Sequence, residues 1–552
     1  MTSGTVLHEV GSGSETIAVD YLNCPNILKP TIIIPNTLTL LNEWITRMIT
    51  KHLLFRMRPL FLLFNTMPVI FCLIKYSSSD LERFRDRTIK MLRTGFSNYM
   101  TYAYPADSLL PLSCEGEDNY GGYSLTLIDS LDTLALLNQH KLFADAYWKA
   151  ADVNFNIDSN VSVFETNIRV VGGLLSGHLL ADYCGVNIPT GWPCTGPLLD
   201  KAIEVAEKLL PAFKTKTGIP YGTVNLLTGV PENETTITSV AGAGTFIIEF
   251  ASISLLTGDS RFIDAAIVAL DALWEARTSI NLVGDHIDIE TGSWRGNMFT
   301  IGSSIDSYIE YLMKGAIILG NETLAQRFTI FHTAILNYSR NGLWHVYVDA
   351  FSGKQILRMF QSLDAFYPGV MALAGYPLEA MHIVLQNHQL WKMYNCLPEH
   401  FDPVKLQPIH TGLQYPLRPE HIESIATLSL IFCRHNEYGD VCMTLRAMAV
   451  DILSAIESET RCKCGFCSIM DVRDGRLYDN MESFFIAETL KYMYIALNGS
   501  TELLYRDDHH FYISNIDHYC NFGKLPNQRY VFNTEAHLID IFALHCCANI
   551  HI

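Results

Sequence analysis

The feature that most constrains this chain is a helical spacing of apolar residues that continues almost without a break from residue 80 onward. Apolar side chains recur every three to four residues, which predicts amphipathic helices separated by short loops rich in Gly, Pro, Asn and Asp. The sequence shows neither the strand–helix alternation of a parallel sheet nor a Pro/Ser-rich linker between domains. The predicted helices cover residues 81–103, 124–140, 161–181, 199–211, 241–256, 260–277, 303–319, 323–340, 366–375, 379–394, 420–435, 439–456, 481–497 and 535–545.

These segments and their short connections indicate helices paired in antiparallel fashion. A helical solenoid would also produce such a series, but it would repeat its sequence from one helix pair to the next, and no residue-level repeat is present. With 49% hydrophobic and 17% charged residues, the chain can build one large core, and disorder, collagen and coiled coils are excluded. We therefore predict an all-α fold, a closed α/α barrel of paired antiparallel helices.

The charge balance argues against nucleic acid as a partner. The chain has 39 Lys and Arg residues against 57 Asp and Glu residues, a formal net charge of −18. A polyphosphate surface would be repelled overall. The surplus carboxylates fit surface solubility, a bound cation or acid–base chemistry.

An apolar run at residues 61–74 determines the predicted organisation of the N-terminus. It is shorter than the roughly 20 residues of a membrane span, but it fits the apolar core of a secretory signal peptide. A chain starting at Met57 would begin like an ordinary signal. We therefore predict an extension or mis-assigned start at residues 1–56 and a signal peptide or short signal-anchor at residues 57–79, with a buried helix as the third alternative. Of these alternatives, only an uncleaved signal-anchor would attach the protein to a membrane.

Sequons and cysteines favour the secretory pathway. Asn-X-Ser/Thr triplets follow the predicted signal at Asn160, Asn233, Asn321, Asn337 and Asn498. The 14 cysteines do not pair at zinc-finger spacing, and the nearest approach to a metal cluster is Cys462, Cys464 and Cys467, without a matching second cluster. Structural disulfides in an oxidising compartment are therefore the favoured interpretation.

Several apolar helices carry carboxylates on a narrow polar face. In the segment 163–180, Glu165 and Arg169 lie one helical turn apart, while most of the circumference is apolar. A surface ion pair is the ordinary interpretation of this spacing, but a charge enclosed among apolar residues must be paired or functional. The same pattern recurs around Glu249, Asp306, Glu310, Glu420, Glu423, Glu482 and Glu488.

Convergence of these polar faces on a barrel axis would build an acidic pocket lined with aromatic residues. Such a pocket suits sugars, and glycoside hydrolysis requires two carboxyl groups, one to protonate the leaving oxygen and one at the anomeric side. Acidic clusters also suit hard cations with oxygen ligands. The sequence contains no H-E-x-x-H, G-x-S-x-G, P-loop or dinucleotide-binding motif.

The motifs in these segments carry a family resemblance. Over about residues 80–545 the chain resembles the class I α-mannosidases, glycoside hydrolase family 47, and within them the ER degradation-enhancing α-mannosidase-like (EDEM) branch. The matching stretches are YPADSLLPLSCEG (104–116), SLTLIDSLDTLALL (124–137), VFETNIRVVGGLLSGHLLA (163–181), GIPYGTVNL (218–226), GTFIIEFASISLLTGD (244–259), SIDSYIEYLMKGAIILG (304–320), SLDAFYPG (362–369), YPLRPEHIES (415–424), MESFFIAETLKYMYIAL (481–497) and FNTEAH (532–537).

This resemblance implies an (α/α)7 barrel at residues 80–545, followed by a short tail at residues 546–552. It implies an inverting, Ca²⁺-dependent exo-α1,2-mannosidase in the lumen of the endoplasmic reticulum. Its substrates would be high-mannose N-glycans on misfolded glycoproteins, which trimming marks for ER-associated degradation. The alternative is a catalytically weak, mannose-binding, lectin-like receptor or scaffold on the same fold.

The resemblance also implies roles for individual residues. Glu165 and Asp306 match the two proposed general acids, and Glu420 matches the general base that activates water. Thr534 matches the residue that binds Ca²⁺ through its hydroxyl and carbonyl oxygens. Arg169 and Arg418 match the arginines beside these carboxylates. The residues that hold the terminal sugar or the water shell of the ion are matched by Glu249, Glu423, Phe484 and Glu488. An inverting mechanism would place the acid and base carboxyls roughly 6.5–9.5 Å apart.

The chain departs from the trimming mannosidases of this family at two positions. Ser362 stands where those enzymes have a histidine, which puts the trimming specificity rather than the chemistry in question. Ala365 stands where they have a disulfide cysteine, so Cys396 is expected to lack that partner. Cys114 and Cys464 lie in segments near the two ends of the barrel, and we predict a disulfide between them.

Two features near the C-terminus leave alternatives open. The connection at residues 499–531 is long and carries the run Asp-Asp-His-His at 507–510, which is either a solvated loop or a metal site. Cys546 and Cys547 could form a mixed disulfide with a disulfide-isomerase-like oxidoreductase. A structural bond or an unpaired pair is the other interpretation.

Overall fold

Helices dominate the part of the chain that the computed structural model describes, residues 76–433, 438–497, 499, 504 and 529–551. In chain order the α-helices are α1 (Ser78–Asn98), α2 (Leu125–Asp129), α3 (Leu131–Leu136), α4 (His140–Ala151), α5 (Gly172–Leu179), α6 (Pro197–Leu209), α7 (Val240–Gly244), α8 (Ile247–Thr257), α9 (Arg261–Ala276), α10 (Asp306–Leu319), α11 (Glu322–Tyr338), α12 (Tyr367–Leu373), α13 (Pro377–Tyr394), α14 (Glu420–Phe432), α15 (Gly439–Glu459), α16 (Leu490–Ala496) and α17 (Ile541–His551). One turn (Val163–Glu165) and π-helical segments (Tyr99–Ala103, Thr166–Val171, Phe485–Thr489) extend α1, α5 and α16, and 3₁₀ segments (Leu210–Phe213, Ser362–Phe366) adjoin α6 and α12.

The helices form two concentric rings. The inner ring consists of α3 (with α2), α5, α8, α10, α12, α14 and α16, which pack in that order, and α16 packs back against α3. Outside it, α4, α6, α9, α11, α13, α15 and α1 each pack mainly against one inner helix, and α6, α13 and α15 also contact the next one. The described residues therefore contain seven helix pairs, and the predicted (α/α)7 barrel is confirmed.

Burial explains which helices are inside. Every residue of α5 and of α16 is buried, because an inner helix has neighbours on both sides and an outer helix behind it. The outer helix α6 is amphipathic instead, and its buried residues repeat at helical spacing. Helices that are apolar around most of their circumference are thus the ones that surround the barrel axis.

Two details of the helix prediction are wrong. The outer helix α4 is not among the predicted segments. The connection between the end of α3 at Leu136 and the start of α4 at His140 is very short, so the sequence does not mark α4 as a separate helix. The predicted helix at 535–545 begins later, at Ile541, and a strand precedes it. The apolar residues of the short strand Leu538–Asp540 continue directly into the helix, so their spacing does not distinguish the two elements.

Short antiparallel strands connect the helices in sheets of two or three strands. They are β1 (Ser108–Leu110), β2 (Glu115–Glu117), β3 (Asn160–Ser162), β4 (Thr223–Asn225), β5 (Ile237–Ser239), β6 (His286–Asp288), β7 (Ser293–Trp294), β8 (Met298–Phe299), β9 (Arg340–Asn341), β10 (Trp344–His345), β11 (Tyr347–Asp349), β12 (Gln355–Leu357), β13 (Phe360–Gln361), β14 (His400–Asp402), β15 (Gln407–Pro408), β16 (Ser468–Asp471), β17 (Arg476–Tyr478), β18 (Tyr530–Phe532) and β19 (Leu538–Asp540).

The β18–β19 hairpin lies within the inner ring. Tyr530 is opposite Asp540 and Phe532 is opposite Leu538, so the FNTEAH motif forms the turn between the strands. β18 contacts α10 and β19 contacts α5, on two different inner helices. Gly172 of α5 allows this approach, because a Cβ atom there would lie 2.5 Å from the Asn533 side chain. The hairpin thereby places the Thr534 turn at the centre of the barrel.

Disulfides link both distant and neighbouring parts of the described chain. The predicted Cys114–Cys464 bond is present, and further bonds include Cys194–Cys547, Cys433–Cys442 and Cys462–Cys467. The interpretation of the Cys462–Cys467 region as structural rather than metal-binding is therefore confirmed. Cys396 is a buried free thiol, as expected. Cys547 is bonded to Cys194 and Cys546 is disulfide-bonded as well, which is the structural alternative, and an oxidoreductase partner stays a prediction.

Several predictions fall outside the described residues. These are the extension at 1–56, the signal or anchor at 57–79 apart from its last four residues, and the 507–510 run. Among the described residues, the stretch Val240–Thr257, which comprises α7 and α8, has the length and apolar composition of a membrane span, but 89% of it is buried in the protein, as in a core helix.

Candidate active site

A cavity of about 370 Å³ opens at the end of the barrel where the inner helices begin. Asp306 and Glu420 are the first residues of α10 and α14, and Glu165 belongs to the turn that leads into α5. Helix N-termini carry partial positive charge, so this end of the ring favours carboxylates. The charged and aromatic residues that line the cavity are Phe164, Glu165, Arg169, Asp306, Glu310, Phe366, Arg418, Glu420, Glu423, Phe484, Glu488 and Glu535, and Thr534 lies among them.

Nine of the ten predicted site residues line this cavity, and Glu249 does not. The Glu249 carboxylate is fully buried and accepts hydrogen bonds from Tyr311 Oη (2.7 Å), Asn167 Nδ2 (2.9 Å) and Asn533 Nδ2 (2.8 Å). Burial raises its pKa to about 7, although these donors lower it. Glu249 therefore supports the hairpin from behind the cavity wall, and a direct contact with sugar stays a prediction.

Asp306 and Glu420 have carboxyl groups that titrate near neutral pH. Burial raises the pKa of Asp306 to about 7, although its hydrogen bond from the Ser307 backbone lowers it. Burial likewise raises the pKa of Glu420 to about 7, against the opposing charge of Arg418. The Arg418 Nη1 atom lies 3.6 Å from Glu420 Oε1. One cavity thus holds two carboxyl groups that can each carry or accept a proton near pH 7.

The third catalytic candidate, Glu165, is held by Arg169. Arg169 Nε donates to Glu165 Oε2 at 2.7 Å, and its Nη1 donates to Glu535 Oε2 at 2.7 Å. The Arg169 guanidinium also lies over the Phe484 ring, 5.5 Å from its centroid, and Arg418 lies 5.7 Å from the same centroid. Both guanidinium groups therefore lie against the Phe484 ring in the cavity wall, and an ion pair holds Glu165 in place.

Glu310 and Lys314 form a buried ion pair that sequence reasoning left without a function. The two residues are one turn apart on α10, and the Lys314 ammonium also lies 4.0 Å from Glu423 Oε1. Lys314 Nζ donates to the Asn533 carbonyl at 3.2 Å, which joins α10 to the hairpin turn. The apolar spacing of α10 showed that Glu310 was enclosed, but not what it paired with.

A second buried network fixes the other side of the hairpin. His537 Nε2 lies 3.0 Å from Asp129 Oδ1, and Lys491 Nζ lies 2.7 Å from Asp132 Oδ1. Lys491 also donates to the Ala536 carbonyl at 2.6 Å, and Asp132 accepts the Leu538 N–H at 3.0 Å. Although burial opposes it, the charges of Asp132 and Asp129 raise the pKa of His537 to about 9. These charged residues therefore hold the Thr534 turn against two inner helices.

The donor chemistry around Thr534 fits a hard divalent cation. Burial raises the pKa of Glu423, Glu488 and Glu535, and the charges of neighbouring carboxylates raise each of them further. A cation among these groups would relieve that repulsion, and Ca²⁺ prefers oxygen donors in flexible coordination. No three Asp, Glu, His or Cys side chains in the described residues are grouped as a metal site of their own. Any ion here would therefore depend on Thr534 oxygens, water and ligand hydroxyls.

This arrangement suits the hydrolysis of a glycosidic bond at the end of a sugar chain. A cavity of this volume has room for one terminal sugar ring with water, and its wall combines charged groups with aromatic side chains. Two carboxyl groups that titrate near neutral pH meet the acid and base requirements of glycoside hydrolysis.

Comparison with known proteins identifies the family. The model of glycosyl hydrolase family 47 matches residues 91–541. Human ER degradation-enhancing alpha-mannosidase-like protein 2 is 46% identical over 474 residues, which covers 85% of this chain and 80% of the relative. Alpha-mannosidase I MNS4 of Arabidopsis thaliana is 40% identical over 465 residues, with 84% and 70% coverage.

A solved structure shares the fold. The alpha-1,2-mannosidase from Trichoderma reesei superposes with a TM-score of 0.70 at 23% identity, and covers 83% of this chain and 99% of that one. Together with the sequence matches, this agrees with the resemblance read from the motifs. The chain belongs to glycosyl hydrolase family 47, in its ER degradation-enhancing α-mannosidase-like branch.

Proposed function

We propose that this protein is an inverting, Ca²⁺-dependent α1,2-mannosidase that trims high-mannose N-glycans on misfolded glycoproteins in the lumen of the endoplasmic reticulum. The supporting observation is that Asp306 and Glu420 share one sugar-sized cavity and both titrate near pH 7. The names of the relatives and the disulfides of this chain support the compartment.

Glu420 is the proposed base. Its ionised form faces Arg418, which stabilises the negative charge until the carboxylate takes a proton from the attacking water. Asp306 is the favoured acid, because burial raises the pKa of its carboxyl to about 7, whereas the Glu165 carboxylate is paired with the guanidinium of Arg169. Glu165 would then orient the leaving sugar or a water that relays the proton.

Ca²⁺ held at Thr534, when bound, would supply positive charge that binds and orients the hydroxyl oxygens of the terminal mannose. The residues of this chain do the remaining positioning. Glu423, Glu488 and Phe484 line the cavity together with Thr534, and the guanidinium groups of Arg169 and Arg418 lie against the ring of Phe484. The lysine and histidine networks behind the hairpin keep that turn in place.

The test is release of mannose from a labelled Man9 or Man8 glycan by protein expressed from Met57 in a secretory host. Release that both Ca²⁺ chelation and Glu420→Gln abolish is expected. Glu457→Gln, on the outer helix α15, is the matched control and should keep full activity. If the wild type binds glycan without releasing mannose, the lectin-like alternative replaces the hydrolase.

A second assay separates the two candidate acids. α-Mannosyl fluoride needs no proton on its leaving group, so loss of the acid should matter little for this substrate. Asp306→Asn is expected to lose far more activity on the glycan than on the fluoride, whereas Glu165→Gln should lose both. The opposite pattern would assign the acid to Glu165.

A further inference from the structure

Glu399 stands behind Arg418 and outside the cavity lining. Its carboxylate accepts two hydrogen bonds from the guanidinium, Nε to Oε1 at 2.7 Å and Nη2 to Oε2 at 2.9 Å. Paired contacts of this kind are the strongest geometry for an arginine and a carboxylate. Ser362 supports the same carboxylate, because its hydroxyl donates to Glu399 Oε1 at 2.8 Å and its N–H donates to the Glu399 carbonyl at 3.1 Å.

Arg418 is therefore shared unequally between two carboxylates. Its remaining nitrogen, Nη1, lies 3.6 Å from Glu420 Oε1, which exceeds the range of a hydrogen bond. Arg418 is close enough to stabilise an ionised Glu420 but is held back from a full ion pair. A full pair would make Glu420 a much weaker base.

We infer that Glu399 is a positioning residue that withholds Arg418 from Glu420 and so keeps Glu420 basic enough to take a proton from water. This inference rests on the proposed function of Glu420. Sequence reasoning missed Glu399, because this residue lies in the loop before β14, and it contacts Arg418, which is 19 residues further along the chain. The polar pair of Ser362 and Glu399 also gives a role to the serine that replaces the histidine of the trimming enzymes.

The charged groups around Glu420 other than Arg418 act in the same direction as Glu399. Asp306 of α10 and Glu399 both raise the pKa of Glu420 by their charge, while Arg418 lowers it. Glu420 in turn interacts electrostatically with Glu423 on its own helix, with Glu488 of the segment before α16, and with Tyr415. Apart from Arg418, these groups are acidic, so release of Arg418 from Glu399 would add the main opposing charge.

Glu399→Gln tests the inference. Glutamine has the same shape, but its NH₂ group would point at a guanidinium N–H, so Arg418 is expected to turn toward Glu420. The acidic limb of the kcat/KM profile, measured on a Man8 glycan, should move to lower pH by about one unit. On that limb, activity relative to each enzyme's own plateau would rise about tenfold.

Two control variants separate charge from packing. Glu399→Asp shortens the side chain but keeps its charge, and Ser362→Ala removes one hydrogen bond from it. Both should leave the acidic limb within a few tenths of a unit of the wild type, whatever their effect on kcat. An unmoved limb in Glu399→Gln, or an equal movement in Glu399→Asp, would overturn the inference.

A binding measurement distinguishes failure of the inference from failure of the proposed function. An iminosugar with the configuration of mannose carries a positive ring nitrogen that pairs with ionised carboxylates. Calorimetric titration of this probe across pH reports the ionisation of the cavity without turnover. If the wild type releases no mannose, the proposed function fails. A downward shift of the binding profile in Glu399→Gln would still support the role of Glu399, and an unshifted profile would refute it.

Discussion

Replacement of Lys491 by methionine tests whether the charge network behind the hairpin supports the fold. Lys491 Nζ is fully buried, lies 2.7 Å from Asp132 Oδ1 and donates to the Ala536 carbonyl at 2.6 Å. Methionine fills a similar volume, so the loss is mainly electrostatic. Removing one partner of a buried ion pair costs about 3–5 kcal/mol. Asp132 keeps the His537 ring at 3.5 Å and two hydrogen-bond donors, so we expect the lower end, about 3 kcal/mol.

The assay is urea unfolding followed by circular dichroism, together with calorimetric titration of Ca²⁺. Lys491→Met should lower the free energy of unfolding by that amount and weaken Ca²⁺ binding, because the Thr534 turn loses an anchor. Lys392→Met is the matched control, since its pair with Asp451 is exposed and should contribute less than about 1 kcal/mol. Equal losses in both variants, or additive effects of Lys491→Met and Asp132→Asn, would refute the reasoning.

Three further predictions concern pH, sugar binding and the metal. Burial and the charge of Asp306 raise the pKa of Asp364 to about 8. The neutral carboxyl therefore stabilises the folded state, and this contribution to the free energy of unfolding is lost as pH rises through 8. The melting temperature of Asp364→Asn, relative to that of the wild type, should therefore increase from pH 5 to pH 9. A difference that stays constant over this range would contradict the prediction. Phe484→Leu removes the ring between Arg169 and Arg418 and should raise KM severalfold in steady-state kinetics. Chelation of Ca²⁺ should lower the melting temperature in calorimetry, and Ca²⁺ should restore it.

The sequence contained enough information to predict the barrel and most of the cavity. Inner helices are apolar on nearly every face, so a carboxylate on such a helix has few places to point except the barrel axis. That argument placed Glu165, Asp306, Glu420 and Glu488 in one site, and the structure brings all four to the same cavity. The roles within the site came from the family motifs rather than from the spacing.

What could not be predicted depends on contacts between distant residues. Glu399 lies in a loop with no periodicity, and its importance follows only from its contact with Arg418. The ion pair of Lys491 with Asp132 spans 359 residues, and neither helix shows by itself that its charge is paired. Glu249 looked like a cavity residue because it lies on an apolar helix, but three hydrogen-bond donors occupy its carboxylate behind the wall.

The position of the hairpin along the chain has a consequence for synthesis in the cell. His537 meets Asp129 across 408 residues, so the acidic residues of the first inner helix are made long before their cationic partner. At about 5–20 residues per second, the ribosome needs about 20–80 s to bridge that distance. During this interval the nascent barrel has neither its central turn nor a complete sugar pocket. The cavity can therefore be completed only after nearly all of the described chain has entered the compartment where it folds.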